Sequence, residues 1–259
     1  MNPTAASSDD PHRLDQVVTQ WSLLRLAHQP IDQQGPQARQ AMLLKYRDAI
    51  RNYVAALLQH EPDTDDVAQD VLMRLMRGDF ASADRSKGRF RDFLKVAVKN
   101  MVRTHWDKQQ RRSAVSFEVL EGVDPEALNT DSDIAWTDEW RGQLIESTWQ
   151  SLESFEQSTP GCCYFTILQL RTAHPDADSS QLAEHLSEAT GKIWRADAGR
   201  QQLRRARLRF AQLLVEELAG SLQQPTPDDV EEELVALGLM DFVRPFLPPD
   251  WRESGELRE

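Results

Sequence analysis

Apolar residues along this chain recur every three to four positions, the spacing that lays one face of an α-helix on a core, and no segment alternates as a half-buried strand does. Leu14, Val17, Val18, Trp21 and Leu24 predict a short helix over 14–27, broken at 32–35. Ala41, Leu43, Leu44, Ile50, Tyr53, Val54, Leu57 and Leu58 predict a long one over 36–60, ended near Pro62. Thr64 or Asp65 can cap the next helix, buried through Val67, Ala68, Val71, Leu72 and Leu75 and stopped by Gly78. After a loop over 78–88, Phe90, Phe93, Leu94, Ala97 and Met101 mark a helix over 89–110.

From 113 to 138 the period fades, and this stretch reads as a linker. Helical spacing resumes near Trp140 and runs to Phe155, then again over 164–173 and 179–187. A basic helix over 197–222 follows a short connection at 191–193, and Pro225 and Pro227 separate it from an acidic helix over 228–237. The expected fold is therefore all-α, with two helical domains at 31–112 and 146–222. A tail with a short helix at 1–30 precedes them, an acidic linker at 113–145 joins them, and an extension at 223–259 follows.

Composition agrees with this picture. Glycine is scarce, with 11 in 259 residues, and 40% hydrophobic content suffices for two cores. No apolar run approaches a membrane span and the start of the chain is polar, so a cytoplasmic protein is expected. Cys162 and Cys163 are adjacent and lack the spacing of a zinc site, so they read as small core residues. No H-E-x-x-H, G-x-S-x-G or Walker loop occurs; neither an enzyme nor a cofactor is expected.

Charge changes the picture more. The net charge is −12, yet residues 85–112 hold ten Lys/Arg against Asp92 and Asp107, and 192–209 hold seven against Asp197. Residues 113–140 carry eight acids and no Lys or Arg. Two basic islands in an acidic chain suggest two polyanion contacts. Arg91, Lys95, Lys99 and Arg103 recur every four residues and predict a basic stripe with few compensating acids, extended by Lys108, Arg111 and Arg112. Such a row on a rigid helix suits phosphates, and Phe80, Phe90 and Trp106 could stack on unpaired bases. A solvated helix face is the plainer alternative. On the preceding helix Asp66, Gln69, Asp70 and Met73 lie opposite the apolar stripe, where acids also serve as ordinary dipole partners.

Read in order, DTDDVAQDVLMRLMRGDF and KGRFRDFLKVAVKNMVRTHWDKQQRR resemble domain two of extracytoplasmic-function sigma factors, within the sigma-70 family. The resemblance implies that Asp66, Gln69, Asp70 and Met73 face the clamp helices of RNA polymerase. Phe93, Leu94 and Asn100 would be framework, and the loop 78–88, with Phe80 and Lys87, would hold a flipped base of the melted minus-ten element. Arg89, Arg91, Lys95, Lys99, Arg103, Trp106, Arg111 and Arg112 would line the same strand.

Further on, SSQLAEHL followed by GRQQLRRARLRF has the proportions of a helix-turn-helix. L-R-R-A-R is similar to the end of domain four's recognition helix, which reads the minus-thirty-five element. Arg200, Gln201, Arg204, Arg205 and Arg207 would then meet duplex DNA, although the connection 188–196 is longer than the family's. The resemblance spans about 40–112 and 146–220. It implies core RNA polymerase and promoter DNA as partners, with an anti-sigma factor as a candidate third. The acidic linker would either mimic RNA in the exit path or serve as an extended spacer. A helix-turn-helix regulator without a sigma role is the competing function; it accounts for 180–209 but not for the domain-two pattern.

Overall fold

The computed structural model describes residues 34–58, 62–77, 89–113, 129–222, 225–247 and 251, and the helix expected over 14–27 lies outside them. Every element among the described residues is helical: α1 (Gln34–Leu57), α2 (Thr64–Arg77), α3 (Phe90–Ser113), α4 (Asn129–Ser158), α5 (Tyr164–Ala173), α6 (Ser179–Thr190), α7 (Ala196–Gly220), α8 (Pro227–Ala236) and α9 (Met240–Val243), with a 3₁₀ turn at Arg244–Phe246. None is long and apolar enough to cross a membrane. The chain forms two compact units that divide after Gln143, inside α4.

The first unit holds α1, α2, α3 and the start of α4. Met42, Tyr46, Ile50, Tyr53, Val54 and Leu57 are the buried face of α1, while Leu44, expected in that stripe, is exposed. α2 buries Val67, Ala68, Val71, Leu72 and Leu75 as expected, with Asp65 and Asp66 in its first turn and Arg74 and Arg77 in its last. That charge order favours the helix dipole at both ends.

The start of α4 corrects the linker reading. The helix reaches back to Asn129, and Trp136 and Trp140 are 1% and 4% exposed. Trp136 packs on Tyr53 at 4.7 Å between ring centroids, and Trp140 stacks on Tyr46 at 5.5 Å and meets Phe90 at 6.4 Å. Each buried tryptophan contributes about 1.5–3 kcal/mol through removed apolar area, more than the few tenths an acidic helix loses through poor propensity. Composition suggested a spacer because residues 113–140 carry eight acids and no Lys or Arg, with no sustained apolar period. The two tryptophans outweigh them because they stand one helical turn apart on one face.

The second unit's core joins α4 through Leu152, α5 through Ile167 and Leu168, α6 through Leu182 and Leu186, and α7 through Leu203, Ala206 and Phe210. Cys163 lies in that core as expected, with its thiol pushed up to about 11, chiefly by burial, whereas Cys162 is only partly buried; both are free. α6 starts sharply because the Asp178 side chain accepts hydrogen bonds from the Ser180 and Gln181 amides at 2.7 and 2.9 Å while the Gln181 side chain accepts one from the Asp178 amide. It stops at Gly191, whose φ of 68° suits glycine. Residues 225–247 are folded rather than free: Val230, Leu234, Leu237, Leu239, Met240 and Val243 are buried, and Phe242 meets Phe210 edge-on at 6.1 Å. Thr226 and Asp229 cap α8 reciprocally, so one acid of its first turn serves the helix start.

Candidate nucleic-acid and polymerase interfaces

α2 turns its apolar stripe inward and leaves Asp66, Gln69, Asp70 and Met73 exposed together, as the spacing predicted. Beside them the Arg51 guanidinium donates to Asp65 at 2.7 Å, and the His105 Nε2 lies 3.1 Å from Asp63. These contacts link α2 to α1 and α3 at its N-terminal end, and leave the Asp66–Asp70 face turned outward.

α3 departs from the expected stripe. Four-residue spacing drifts about 40° per step, so Arg91 and Arg103 differ by about 120° around the axis. Arg91 falls within the arc of Leu94, Val98 and Val102 and is only 8% exposed, near Asp92 at 3.6 Å. Lys95, Lys99, Arg89 and Trp106 are half-buried at the edge, and Arg103 and Arg111 are exposed. Arg91 therefore does not belong to an outward row of cations. Phe80 and Lys87 lie outside the described residues, and Arg112 is placed only as part of the helix.

The expectation concerned acids one turn away on the same helix, but Lys95 and Lys99 meet an acid that comes from another helix. Lys95 Nζ lies 2.8 Å from one carboxylate oxygen of Asp133, and Lys99 Nζ lies 2.8 Å from the other. Partial burial alone would raise the Asp133 carboxyl, but hydrogen bonds and charge from the two lysines outweigh it and hold it below its ordinary value. Sequence reasoning missed Asp133 because it was one acid of eight in a region taken as a linker. Its signal was its position three residues before Trp136, on the face that α4 buries.

On α7, Arg200, Gln201, Arg204, Arg205 and Arg207 are all exposed, spread over an arc of about 160°. Arg209, the last cation of that island, is diverted inward: its guanidinium lies over the Phe155 ring at 4.6 Å and 3.5 Å from Glu216. The long connection before α7 is ordered by Trp194, whose amide donates to the Ser187 hydroxyl and whose indole N–H donates to the Thr190 hydroxyl, both at 2.9 Å. Ile193 beside it is 97% exposed, which the sequence did not single out. Among the described residues no group of three or more His, Cys, Asp or Glu could hold a metal ion.

Searches of curated proteins and of solved structures each found no match. The family model for sigma-70 region 2 matches residues 42–112, just over a quarter of the chain, from within α1 to the end of α3. That span coincides with the first long sequence resemblance and contains both the exposed face of α2 and the cations of α3. Residues 42–112 are thus similar to sigma-70 region 2, a family whose members bind core RNA polymerase and promoter DNA, and the match supports a member of the sigma-70 family.

Proposed function

We propose that this chain is a sigma factor of the extracytoplasmic-function type, which brings core RNA polymerase to promoters and helps to melt them without catalysing a reaction itself. The observation that carries the reading is the sigma-70 region 2 over α1, α2 and α3, with Asp66, Gln69, Asp70 and Met73 together on one solvent face. In this reading those four residues dock on polymerase. Arg103, Arg111 and Arg112, with Lys95 and Lys99, take phosphates of the minus-ten strand, Trp106 stacks on a base, and the loop 78–88 with Phe80 and Lys87 receives a flipped one.

The second unit supplies the upstream contact. α6 and α7 act as a helix-turn-helix, in which Arg200 and Gln201 near the start of α7 meet base edges and Arg204, Arg205 and Arg207 hold the backbone. The exposure of all five supports this division. Burial of the extension's apolar residues supports a role in completing this unit's core. The site of action is the cytoplasm, where polymerase and promoters are, and an anti-sigma factor is a further candidate partner.

Asp66→Arg combined with Asp70→Arg tests the reading. Both positions are exposed, so stability should change by less than about 0.5 kcal/mol. The wild-type chain should be retained by core polymerase and support run-off transcription from DNA upstream of its own coding sequence. The folded double variant should do neither. Undiminished retention of that variant would overturn the polymerase contact, and tight duplex binding without any polymerase dependence would favour the regulator.

A further inference from the structure

Lys95 and Lys99 stand one turn apart on α3, and their ammonium groups grip the two oxygens of a single carboxylate. Asp133, Trp136 and Trp140 fall within about 60° of one another around α4, so the face that buries the tryptophans also carries Asp133 to the lysines. A phosphodiester offers the same valence, two equivalent oxygens sharing one negative charge. We infer that Asp133 is an intramolecular stand-in for a DNA phosphate, and that its carboxylate leaves the Lys95–Lys99 pair when the promoter strand arrives.

The inference rests on the reading of Lys95 and Lys99 as phosphate contacts and adds a control to that site. Three features make the exchange physically reasonable. The three side chains are mostly buried but not enclosed, with 22%, 28% and 38% exposure for Lys95, Lys99 and Asp133, so water still screens the ion pairs and limits their strength. DNA, by contrast, brings a dense row of phosphates whose binding releases condensed counterions. Asp133 also sits in the second turn of α4, so a released carboxylate still benefits from the positive end of the helix dipole, and helix ends open more readily than helix centres. The tryptophans one and two turns further on keep α4 in place meanwhile. Because the lysines hold the Asp133 carboxyl below its ordinary value, the competitor is charged throughout the neutral range.

Such a contact would tax sequence-independent binding. A random strand must displace Asp133 for a gain of one phosphate contact, whereas a promoter held by polymerase contacts and by base stacking displaces it with energy to spare.

The test uses the full chain, alone and assembled with core polymerase, and a labelled mixed-sequence single-stranded DNA, because phosphate contacts do not depend on sequence. Asp133→Asn should bind this DNA about two- to fivefold more tightly at low salt, with a steeper salt dependence, by up to about one unit of slope. Asp138→Asn, which removes a charge of the same helix that pairs with Arg141 at 2.6 Å, controls for net charge and should gain less. Asp133→Glu keeps the competing charge and should bind as the wild type does. Lys95→Ala with Lys99→Ala separates the two ideas. If that variant binds as the wild type does, the phosphate reading itself fails. If it binds weakly while Asp133→Asn gains no more than Asp138→Asn, the stand-in fails alone. A lowered melting midpoint without a gain in affinity would make Asp133 a structural tether and overturn the inference. Failure of Asp133→Asn to fold would do so too, since a contact the fold requires cannot yield to DNA.

Discussion

The two basic helices look alike in sequence and are deployed differently. On α3 the cations grade from Arg91 in the core, through Lys95 and Lys99 at the edge, to Arg103 and Arg111 in solvent, and the middle pair is held by an acid from α4. On α7 Arg200, Gln201, Arg204, Arg205 and Arg207 are all exposed, and only Arg209 at the far end turns inward. Both helices carry dense runs of Lys and Arg, so a count of cations alone does not separate them. What separates them is the width of the buried arc. α3 is covered on a broad arc that reaches Val98 and Val102, and a cation placed there must be enclosed. Accessible charge therefore follows from which arc the neighbours cover, and a count of Lys and Arg does not report it.

Removal of the cover on α3 should have the largest effect. Trp140→Ala deletes a ring stacked on Tyr46 and packed near Phe90, and should destabilise the first unit by about 3–5 kcal/mol. Chemical denaturation measures it, and hydrogen exchange should show lost protection in α1 and α3. An unchanged midpoint would return residues 129–143 to the status of a spacer.

The next effect belongs to α7. Arg200→Ala should relax selectivity at particular upstream base pairs by ~1–3 kcal/mol, read as relative transcription from promoters that differ at single positions. Uniform weakening at every promoter would instead make Arg200 a phosphate contact, and the two helices would then differ only in their cover.

A smaller effect should distinguish the helices by salt. Changing Arg204 and Arg205 together to Ala should flatten the salt dependence of DNA binding by up to about one unit of slope per lost contact. Changing Lys95 and Lys99 should flatten it less, because displaced Asp133 already offsets part of the ion release. Equal slopes would abolish the contrast.

The smallest effect is a matter of pH. Asp133 has a carboxyl below its ordinary value in the folded chain, so its pairing stabilises above the normal Asp range of about 3.9 and is lost as pH falls through the lower folded value. The difference in melting temperature between wild type and Asp133→Asn should be constant from neutrality down to about pH 5 and shrink only below about pH 4. A difference that already shrinks near neutrality would contradict the assignment.

Much of the first unit was legible beforehand because its signals are local. The buried stripe of α2 and its polar opposite face follow from one helical period, and Asp66, Gln69, Asp70 and Met73 lie where that period puts them. The bounds of α5 follow in the same way from the breakers that flank it, Pro160 and Gly161 before and Pro175 after, and α6 starts at the expected Ser179. Arg91 was misread because a four-residue repeat was treated as one line, whereas its drift carries one end into the core. The start of α4 was misread because acids counted by composition hid two tryptophans that matter by position.

By itself the sequence determined the helical class, most element bounds, the exposed face of α2 and the basic character of α3 and α7, since helical period and capping act within a few residues. Only the tertiary structure decided that residues 129–143 are helix packed on the first unit, that Arg91 is enclosed and that Asp133 holds Lys95 and Lys99. The physical reason is that burial and charge pairing depend on which surfaces meet, and the partners here come from segments far apart in the chain, whose meeting no local period encodes.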